Sequence, residues 1–483
     1  MSARTLDADY LVIGCGAAGM AFADSIVTET DAEVIMVDRR AAPGGHWNDA
    51  YPFVRLHQPS LFYGVNSTPL GSEAVESSGP ETGWYERSSG AEIRAYFDRV
   101  MHRCLIPSGQ VRFFPQCDYV GDHRFVSRLS GEACDVRVRK KLVDATYLSP
   151  SIPADSPAPF VIGEGASSIP VNQLAHIAAL PERFVIIGAG KTALDACVWL
   201  LENGVDPGRI QWIKSREAWL RNRKFFQPGE LVGTFLMGIA LEMEAAAQAA
   251  SVDDLFDRLE AAELLRRVDR GVRPTMYKMA TIAEWELDRL RRIENVVRLG
   301  HVRRIERDRI VLDQGTIPTR PDHLHVHCAA YGLRRPPALP IFGADRITLQ
   351  PVRPGLIPFN AALVAFVEAH RDEDAEKNRL CPPSVFSDTA LDWVRTTLIQ
   401  LRADRALSAE ADIAEWLDRS RLNPVCGLRG RSGDPLVQKA SQMYREHVRP
   451  AITRLTQLME ESSNKATGTA NTAATRVEAG PLS

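Results

Sequence analysis

The fold follows from one stretch near the start of the chain, Tyr10-Leu11-Val12-Ile13-Gly14-Cys15-Gly16-Ala17-Ala18-Gly19. Its first four residues form an apolar run that is typical of a buried parallel strand. The next six match G-x-G-x-x-G, in which glycines permit a tight turn, close approach of a pyrophosphate and close packing of helix on strand. The helix that follows would offer free N–H groups to phosphates. We therefore predict that Gly14, Gly16, Ala17, Ala18 and Gly19 bind a dinucleotide.

A second apolar run follows at residues 33–37 and ends in Asp38. An acid about 20 residues beyond the glycines is where a ribose hydroxyl is bound in this kind of site. We therefore assign Asp38, with the adjacent Arg39, to the same site. The alternative is an ordinary strand–turn–helix unit with an aspartate on its surface.

The pattern occurs again at residues 184–193, where the apolar run Phe184–Ile187 precedes G-A-G-K-T-A. This is the G-x-G-x-x-A variant of the same motif. The candidate cofactor residues of this second turn are Gly188, Gly190, Lys191, Thr192 and Ala193. Two such turns in one chain indicate two bound dinucleotides, most economically a flavin and a nicotinamide between which hydride can pass.

The residues after the next strand predict which nicotinamide is used. The run Ile210–Ile213 ends in Lys214, Ser215 and Arg216 rather than in an acid. An acid would bind the bare ribose and repel a 2′-phosphate, whereas an arginine would attract that phosphate. The sequence therefore favours NADPH over NADH, and the alternative is an exposed loop with solvated charges.

The composition excludes several other classes of protein. The chain has 483 residues and a net charge of −3, so no global field favours nucleic acid or an anionic membrane. No apolar stretch is long enough to span a bilayer, and the N-terminus lacks a secretory segment, so we expect a cytoplasmic protein. The eight cysteines show no C-x-x-C spacing, which argues against a zinc ribbon or a local redox dithiol, and we expect no metal site.

The order of these parts resembles the two-dinucleotide-binding-domain flavoproteins and, among them, the class B flavin-dependent monooxygenases. Residues 43–47, Pro-Gly-Gly-His-Trp, are similar to the G-G-x-W segment that runs along the flavin in that family. Residues 147–150 and 328–332 stand where the family has short A-T-G-like returns to the sheet. The family's F-x-G-x-x-x-H signature is matched only faintly after Phe160, and Ser167 stands in place of its histidine, which argues against Baeyer–Villiger chemistry.

The resemblance implies FAD in the first site and NADPH in the second, with further contacts to these cofactors. Gly45, His46 and Trp47 would contact FAD, as would Gly332 and Asn360 in the returning part of the chain. The candidate catalytic residues lie in the polar, aromatic segment 55–66. Asn66 is matched to an asparagine that lies near the flavin C4a position, and Arg55 or His57 would stabilise an anion there or position the nicotinamide. The alternatives are a turn residue for Asn66 and a structural histidine for His57.

The resemblance also implies an activity. Reduced FAD would react with O2 to give a flavin C4a-(hydro)peroxide, which would oxygenate a small organic molecule at nitrogen or sulfur. A second hypothesis is an NAD(P)H-dependent reductase or dehydrogenase that passes electrons to an organic or protein acceptor. A third is a cofactor-binding sensor or assembly protein without turnover.

The fold class is therefore α/β, with two Rossmann-like domains of which the FAD domain is interrupted by the NADPH domain. The predicted order is an FAD-binding domain (1–165), an NADPH-binding domain (166–317) with a helical insertion at about 228–292, the return of the FAD-binding domain (318–383), a helical C-terminal module (384–460) and a disordered tail (461–483). The charge-free stretch 231–241 would line a substrate entrance or pack in a core. The C-terminal module could form a homodimer contact.

Overall fold

The computed structural model describes residues 4–150, 152–154, 156–329 and 335–477. The first domain is built on a sheet whose strands run in the order β3-β2-β1-β6-β5-β4. The strands are β1 (Arg4–Ile13), β2 (Val34–Val37), β3 (Val111–Phe114), β4 (Cys117–Gly121), β5 (Arg124–Ser127) and β6 (Ala133–Asp144), and the helices are α1 (Ala17–Glu29) and α2 (Gly90–Val100). The central strands β1, β2, β3 and β6 pair in parallel, so their carboxyl ends meet at one edge. That edge is where a doubly wound sheet binds its ligand.

The second domain has its own parallel sheet, in the order β14-β10-β9-β18-β8. The strands of this part of the chain are β7 (Val161–Ile162), β8 (Ser168–Pro170), β9 (Arg183–Ile187), β10 (Ile210–Ile213), β11 (Ala218–Asn222), β12 (Leu265–Arg266), β13 (Met276–Ile282), β14 (Val296–Val297), β15 (Val302–Ile305), β16 (Arg309–Leu312), β17 (Gly315–Pro318) and β18 (His323–His327). The helices are α3 (Lys191–Glu202), α4 (Val232–Gln248), α5 (Val252–Ala261) and α6 (Glu284–Leu290). Helix α3 connects β9 to β10, which completes the predicted strand–turn–helix–strand unit.

The segment at 228–292 is not purely helical. Besides α4, α5 and α6 it contains β12 and β13, which flank β11 in a small sheet. Strand β13 pairs in parallel with β11, and the register slips between Trp219 and Arg221. Because these strands are stabilised by a partner outside the segment, the local periodicity did not reveal them.

The chain then returns to the first sheet. Strand β19 (Arg346–Thr348) pairs in parallel with β6, and helices α7 (Ile357–His370), α8 (Asp374–Leu380), α9 (Ala390–Ala409), α10 (Ala411–Arg419) and α11 (Pro435–Val477) follow. Helix α7 packs on α1, and α11 packs along α4. Helix α11 includes residues 461–477, which lie in the segment where the sequence predicted disorder.

Three buried clusters match this arrangement. One joins β1, α1, α2 and α7, a second surrounds β9 and α3, and a third joins the small sheet to α4, α5, α9 and α11. The observed architecture is therefore the predicted one, two Rossmann-like domains with the second inserted into the first. Among the described helices, none is both long and apolar enough to cross a membrane.

Candidate functional site: two glycine turns and a cleft

The first glycine turn has the geometry that the sequence predicts. Gly14 has φ +97°, and a Cβ on Gly19 would lie 2.0 Å from the carbonyl oxygen of Gly14. Gly16 precedes the first residue of α1, and no side chain caps that helix. The first N–H groups of α1 therefore face the cleft without a side-chain partner in the described residues, as an anion site requires.

Asp38 lies at the carboxyl end of β2 and is buried. Its carboxylate accepts hydrogen bonds from the backbone N–H groups of Cys15 (2.6 Å) and Arg40 (2.8 Å). A carboxylate can accept about four such bonds, so each oxygen retains capacity for a hydroxyl donor. Asp38 thus fixes the glycine turn and faces the same cleft, which it lines together with Arg39.

The Gly44–Gly45 segment lies directly over the first turn. Gly45 has φ +58°, and a Cβ there would approach the Cα of Gly16 to 2.8 Å. Gly45 and His46 line the cleft, whereas the indole of Trp47 is buried beside it and donates to the hydroxyl of Tyr63 at 2.8 Å. Burial, helped by the nearby Arg40, lowers the pKa of His46 to about 4, so this imidazole is neutral at pH 7. A neutral ring beside phosphates or a flavin acts as a hydrogen-bonding group rather than as a cation.

The cleft has a volume of about 460 Å³ and extends from Asp38 to the start of α7. Residues 148–150 line it after β6, where the sequence predicted a return to the sheet. Asn360 also lines it, but its side-chain amide is engaged: it accepts from the N–H groups of Val352 and Arg353 and donates to the carbonyl of Arg353. Asn360 therefore holds the 352–356 loop in place, and the uncapped start of α7 faces the cleft.

The second turn has the same shape. Gly188 packs against Cys328 and Ala193, whose nearest atoms lie 3.2–3.3 Å from the position that a Cβ on Gly188 would take. Gly190 has an extended backbone, and no described atom lies within 4 Å of where its Cβ would be. Neither backbone conformation nor protein packing therefore requires glycine at 190. Open space at an uncapped helix start is what close approach of a phosphate requires.

The charges after β10 are engaged with acids. Lys214 is 3% exposed; its ammonium donates to Glu217 at 2.5 Å and lies 4.3 Å from the centroid of the Trp212 ring. Lys214 thus cannot reach a phosphate in this structure, because its charge is buried against Glu217. Arg216 is about a third exposed and forms a bidentate pair with Asp388 at 2.9 and 3.0 Å. Ser215, between them, is half-buried.

Asp388 carries more than one cation. Arg335 donates to it at 3.0 Å, and the ammonium of Lys278 lies 3.9 Å away. Burial alone would raise the pKa of Asp388, but the hydrogen bonds from Arg216 and Arg335 hold it well below its usual range. One carboxylate facing three cations leaves this group of charges, beyond the carboxyl end of β10, with an excess of positive charge.

A buried charged network, which we name the interdomain network, joins a loop of the first domain to the helix that follows the second turn. Its members are Glu81 and Arg87 of the first domain and Lys191, Asp195, Arg223 and Glu286 of the second. Arg223 is fully buried, forms an ion pair with Glu81 and contacts Glu286 at 2.7 Å. Burial would raise the pKa of Glu286, but Lys191 and Arg223 hold it well below its usual range.

Three hydrogen bonds, made by Tyr51 and His57, tie the 45–63 segment to this network and to Thr281 beside it. The hydroxyl of Tyr51 donates to Asp195 at 2.6 Å, and the carbonyl of His57 accepts from Thr281 at 2.5 Å and Arg223 at 3.2 Å. Burial, with Lys191 nearby, lowers the pKa of His57 to about 3, so its imidazole is neutral. The segment that lines the first cleft is therefore bonded to the helix that begins at the second.

The structure does not bring the three predicted catalytic residues together. His57 lies beside Lys191 and Asp195 of α3. Asn66 does not line the cleft, because its amide oxygen accepts from the hydroxyl of Ser420 at 2.8 Å, next to α10. Arg55 is exposed and donates to the carbonyl of Arg87. Gly332 lies outside the described residues.

Other polar residues line the cleft near the start of α7, namely Gln58, Tyr63 and Gln350. Gln58 lies in the polar segment that the sequence singled out, and it adjoins Pro59, which precedes a short 3-10 helix at Ser60–Phe62. An amide at this position can both donate and accept, which suits the edge of a flavin ring. The adjoining Pro59 was the available signal that the chain stays extended beside the cleft at residue 58.

No protein-family model matches the chain. Two uncharacterized proteins, one from Mycobacterium tuberculosis and one from Mycobacterium bovis, are each 43% identical to it over 464 residues. The alignment covers 95% of this chain and 86% of each relative.

Similar solved structures include a cyclohexanone monooxygenase of a Rhodococcus species bound to NADP+. It is 15% identical to this chain, the match covers 92% of this chain and 99% of that chain, and the TM-score is 0.47. A flavin-containing monooxygenase of Stenotrophomonas maltophilia has 18% identity, 71% and 84% coverage and a TM-score of 0.36. A bacillithiol disulfide reductase of Staphylococcus aureus has 11% identity, 68% and 77% coverage and a TM-score of 0.38. From its identity to the mycobacterial proteins, the chain belongs to the same family as they do, and its own sheet topology gives it the fold of two dinucleotide-binding domains.

Proposed function

We propose that the protein is an FAD- and NADPH-dependent monooxygenase that oxygenates a small organic molecule. The observation that carries this proposal is the pair of glycine turns, each at an uncapped helix start, joined by one bonded segment. When bound, the two cofactors supply hydride transfer from nicotinamide to flavin and activation of O2 by the reduced flavin. One oxygen atom of O2 enters the substrate, the other leaves as water, and NADPH supplies the two electrons.

The residues of the first cleft fit FAD. The helix start after Gly16 would bind the pyrophosphate, and Asp38 would accept a ribose hydroxyl. At the other end, the uncapped start of α7 carries a partial positive charge that favours negative charge on a reduced flavin ring. Gln58 and the neutral His46 would complete the polar contacts.

The second glycine turn, with its uncapped helix start and open space at Gly190, fits the pyrophosphate of a nicotinamide dinucleotide. We assign the preference for a 2′-phosphate to Arg216 with Arg335 and Lys278, rather than to Lys214, because the three cations exceed the charge of Asp388. The two arginines are each about a third exposed or more and can approach a phosphate with two N–H groups.

The interdomain network would hold the second glycine turn at a fixed angle to the first cleft. Ion pairs and hydrogen bonds have directional geometry, so the turn at Gly190 is held relative to the segment that lines the first cleft. Hydride transfer requires such alignment, since a misplacement of about 1 Å can slow a reaction a hundredfold.

The state of the cysteines favours an oxygenase over a disulfide reductase. All eight cysteines are free. Cys197 and Cys328, which lie near the second turn, are buried, and burial raises the pKa of both thiols. Since the thiolate is the reactive form, these residues are poor nucleophiles for disulfide exchange.

The test begins with purified full-length protein. We expect a yellow protein that retains FAD, and anaerobic NADPH should bleach the flavin spectrum much faster than NADH at the same concentration. On mixing with air and a panel of amines, amino acids and sulfides, at least one substrate should lower the yield of hydrogen peroxide per NADPH consumed. If all NADPH is recovered as hydrogen peroxide with every substrate while an added electron acceptor turns over rapidly without O2, the protein is a reductase instead.

A further inference from the structure

A second cavity adjoins the first cleft, separated from it by the 352–356 loop. It has a volume of about 360 Å³ and is enclosed by α4, α9, α11, β11 and β13. Pro354 lines this cavity and Gly355, the next residue, lines the first cleft. The thickness of one loop therefore separates the cavity from the start of α7, the end of the first cleft to which we assign the flavin ring.

The separating wall is held on both sides. Asn360 bonds the loop from the side of the cleft, and Arg353 donates to Asp404 of α9 at 2.7 Å. The remaining contact is Met279, whose Cε lies 3.5 Å from the position that a Cβ on Gly355 would take and which also lines the second cavity. Methionine is unbranched and flexible, so Met279 is the most adaptable part of this wall.

Met279 has an unusual backbone. Its φ is +59°, and it lies where β13 contains extra residues relative to β11. A non-glycine residue in the left-handed region costs about 1–3 kcal/mol and persists where the surroundings determine it, often at a binding site. Bulges of this kind occur next to active sites, where they redirect a side chain. Here the bulge places Met279 between the two cavities.

The second cavity has an apolar side and a polar side. Leu236, Ile239, Met243 and Trp393 give one side an apolar surface. The charge-free stretch in α4, which the sequence left as either an entrance or a core element, supplies the first two of these. On the α11 side the cavity is lined by Tyr444 and Arg445, and neither side chain has a hydrogen bond or ion pair within the described residues.

In the part of the chain that the structure describes, the charged side chains that line the cavity are paired with opposite charges, except for one arginine. Arg221 forms an ion pair with Glu242, and Asp404 is bonded to Arg353. Among the charged residues that line the cavity, Arg445 is the one without a partner in the described part of the chain. A single exposed guanidinium at the edge of an apolar cavity is complementary to one carboxylate on an apolar body.

We propose that this cavity is the substrate site of the oxygenase, and that it binds a small organic carboxylate with its anion at Arg445 and Tyr444 and its apolar end toward Met279 and Pro354. The role of the cavity in oxygenation rests on the proposed function, whereas binding of a carboxylate in the cavity does not. It places the part of the molecule that is oxidised beside the start of α7, far from the anionic head.

Binding of octanoate to the purified full-length protein, measured by calorimetry, tests the proposal. Octan-1-ol has the same chain length without the charge and should bind at least tenfold more weakly. Arg445→Gln should weaken octanoate binding by roughly ten- to a hundredfold, as for loss of a hydrogen bond to a charged group, and should abolish the preference over the alcohol. Arg449→Gln, at an exposed arginine one turn further along α11, should change binding less than twofold.

A second variant tests the cavity itself. Leu236→Trp fills it from the opposite wall and should abolish binding of both probes, with folding checked by thermal unfolding. The proposal is overturned if octanoate does not bind, if the alcohol binds as tightly, or if Arg445→Gln and Arg449→Gln have equal effects. Bleaching of the flavin by NADPH is measured on the same preparation, so loss of the substrate site and failure of the flavoprotein function give different results.

Discussion

Removing the guanidinium of Arg223 should destabilise the second domain strongly. Arg223 is fully buried and contacts Glu81 and Glu286, so Arg223→Gln leaves two buried carboxylates with fewer partners. Breaking a buried pair typically costs about 3–5 kcal/mol. Glu81 keeps its bonds from Arg87, and Glu286 keeps Lys191 at 3.4 Å, so we take the lower end, about 3 kcal/mol, for this loss.

Urea unfolding followed by tryptophan fluorescence measures this cost. With a slope of about 3 kcal/mol per M, a loss of about 3 kcal/mol lowers the midpoint by about 1 M. The matched control is Arg289→Gln, which removes a pair with Glu202 in which both side chains are nearly half exposed. An exposed pair contributes less than about 1 kcal/mol, so the control midpoint should fall by less than about 0.3 M.

The loss of stability in Arg223→Gln should depend on pH. The folded-state pKa of Glu286 is depressed, so its contribution to stability is present above the unfolded value of about 4.3 and is lost as the pH falls below it. The difference between the wild type and Arg223→Gln should therefore be full at pH 7 and shrink below about pH 4. Equal midpoints for Arg223→Gln and Arg289→Gln at pH 7 would refute the conclusion that the network holds the domains together.

Three further changes test the clefts. Asp38→Asn keeps the shape but exchanges one accepting oxygen for a donor facing two N–H groups, so FAD affinity, measured by titration of apoprotein, should fall roughly ten- to a hundredfold. Asp135→Asn, at a partly exposed carboxylate that does not line the cleft, should stay near wild type. Gly190→Val should fold normally, since no described atom lies where its side chain would go. It should nevertheless abolish bleaching of the flavin by NADPH, because the side chain would occupy the place of the pyrophosphate. Normal bleaching would show that the pyrophosphate does not bind at this turn. Arg216→Gln should lower kcat/KM for NADPH about tenfold or more and leave that for NADH unchanged, and equal losses for both would exclude a 2′-phosphate contact.

The parts of the fold that the sequence could predict are those whose cause is local. A glycine turn between a buried strand and a helix has its determinants within about ten residues, so both turns and Asp38 could be predicted. The fold class then follows, since two strand–turn–helix units of this kind require two parallel sheets. The strands at 265–266 and 276–282 could not be predicted in this way, because their partner β11 lies outside the segment whose periodicity indicated helices.

Distant partners bond to several of the predicted site residues, and the sequence alone could not show this. Asn66 is bonded to Ser420, and Arg216 to Asp388, and no local pattern predicts either contact. Lys214 is a different case, because Glu217 lies only three residues further on and a turn brings the two charges together. A basic residue after a Rossmann strand should therefore be judged together with the acids that immediately follow it.

The segment from Gly45 to Tyr63 links the first cleft to the helix after the second glycine turn, so the two cannot be treated as separate sites. Its first residue closes over the turn at Gly16, its last lines the far end of the same cleft, and between them Tyr51 and the carbonyl of His57 bond to the second domain. A purely apolar contact would tolerate sliding, whereas these bonds leave buried donors and acceptors unpaired when they are displaced, at a cost of about 1–3 kcal/mol each. Any movement of one cleft against the other must therefore either carry this segment along or break several bonds together.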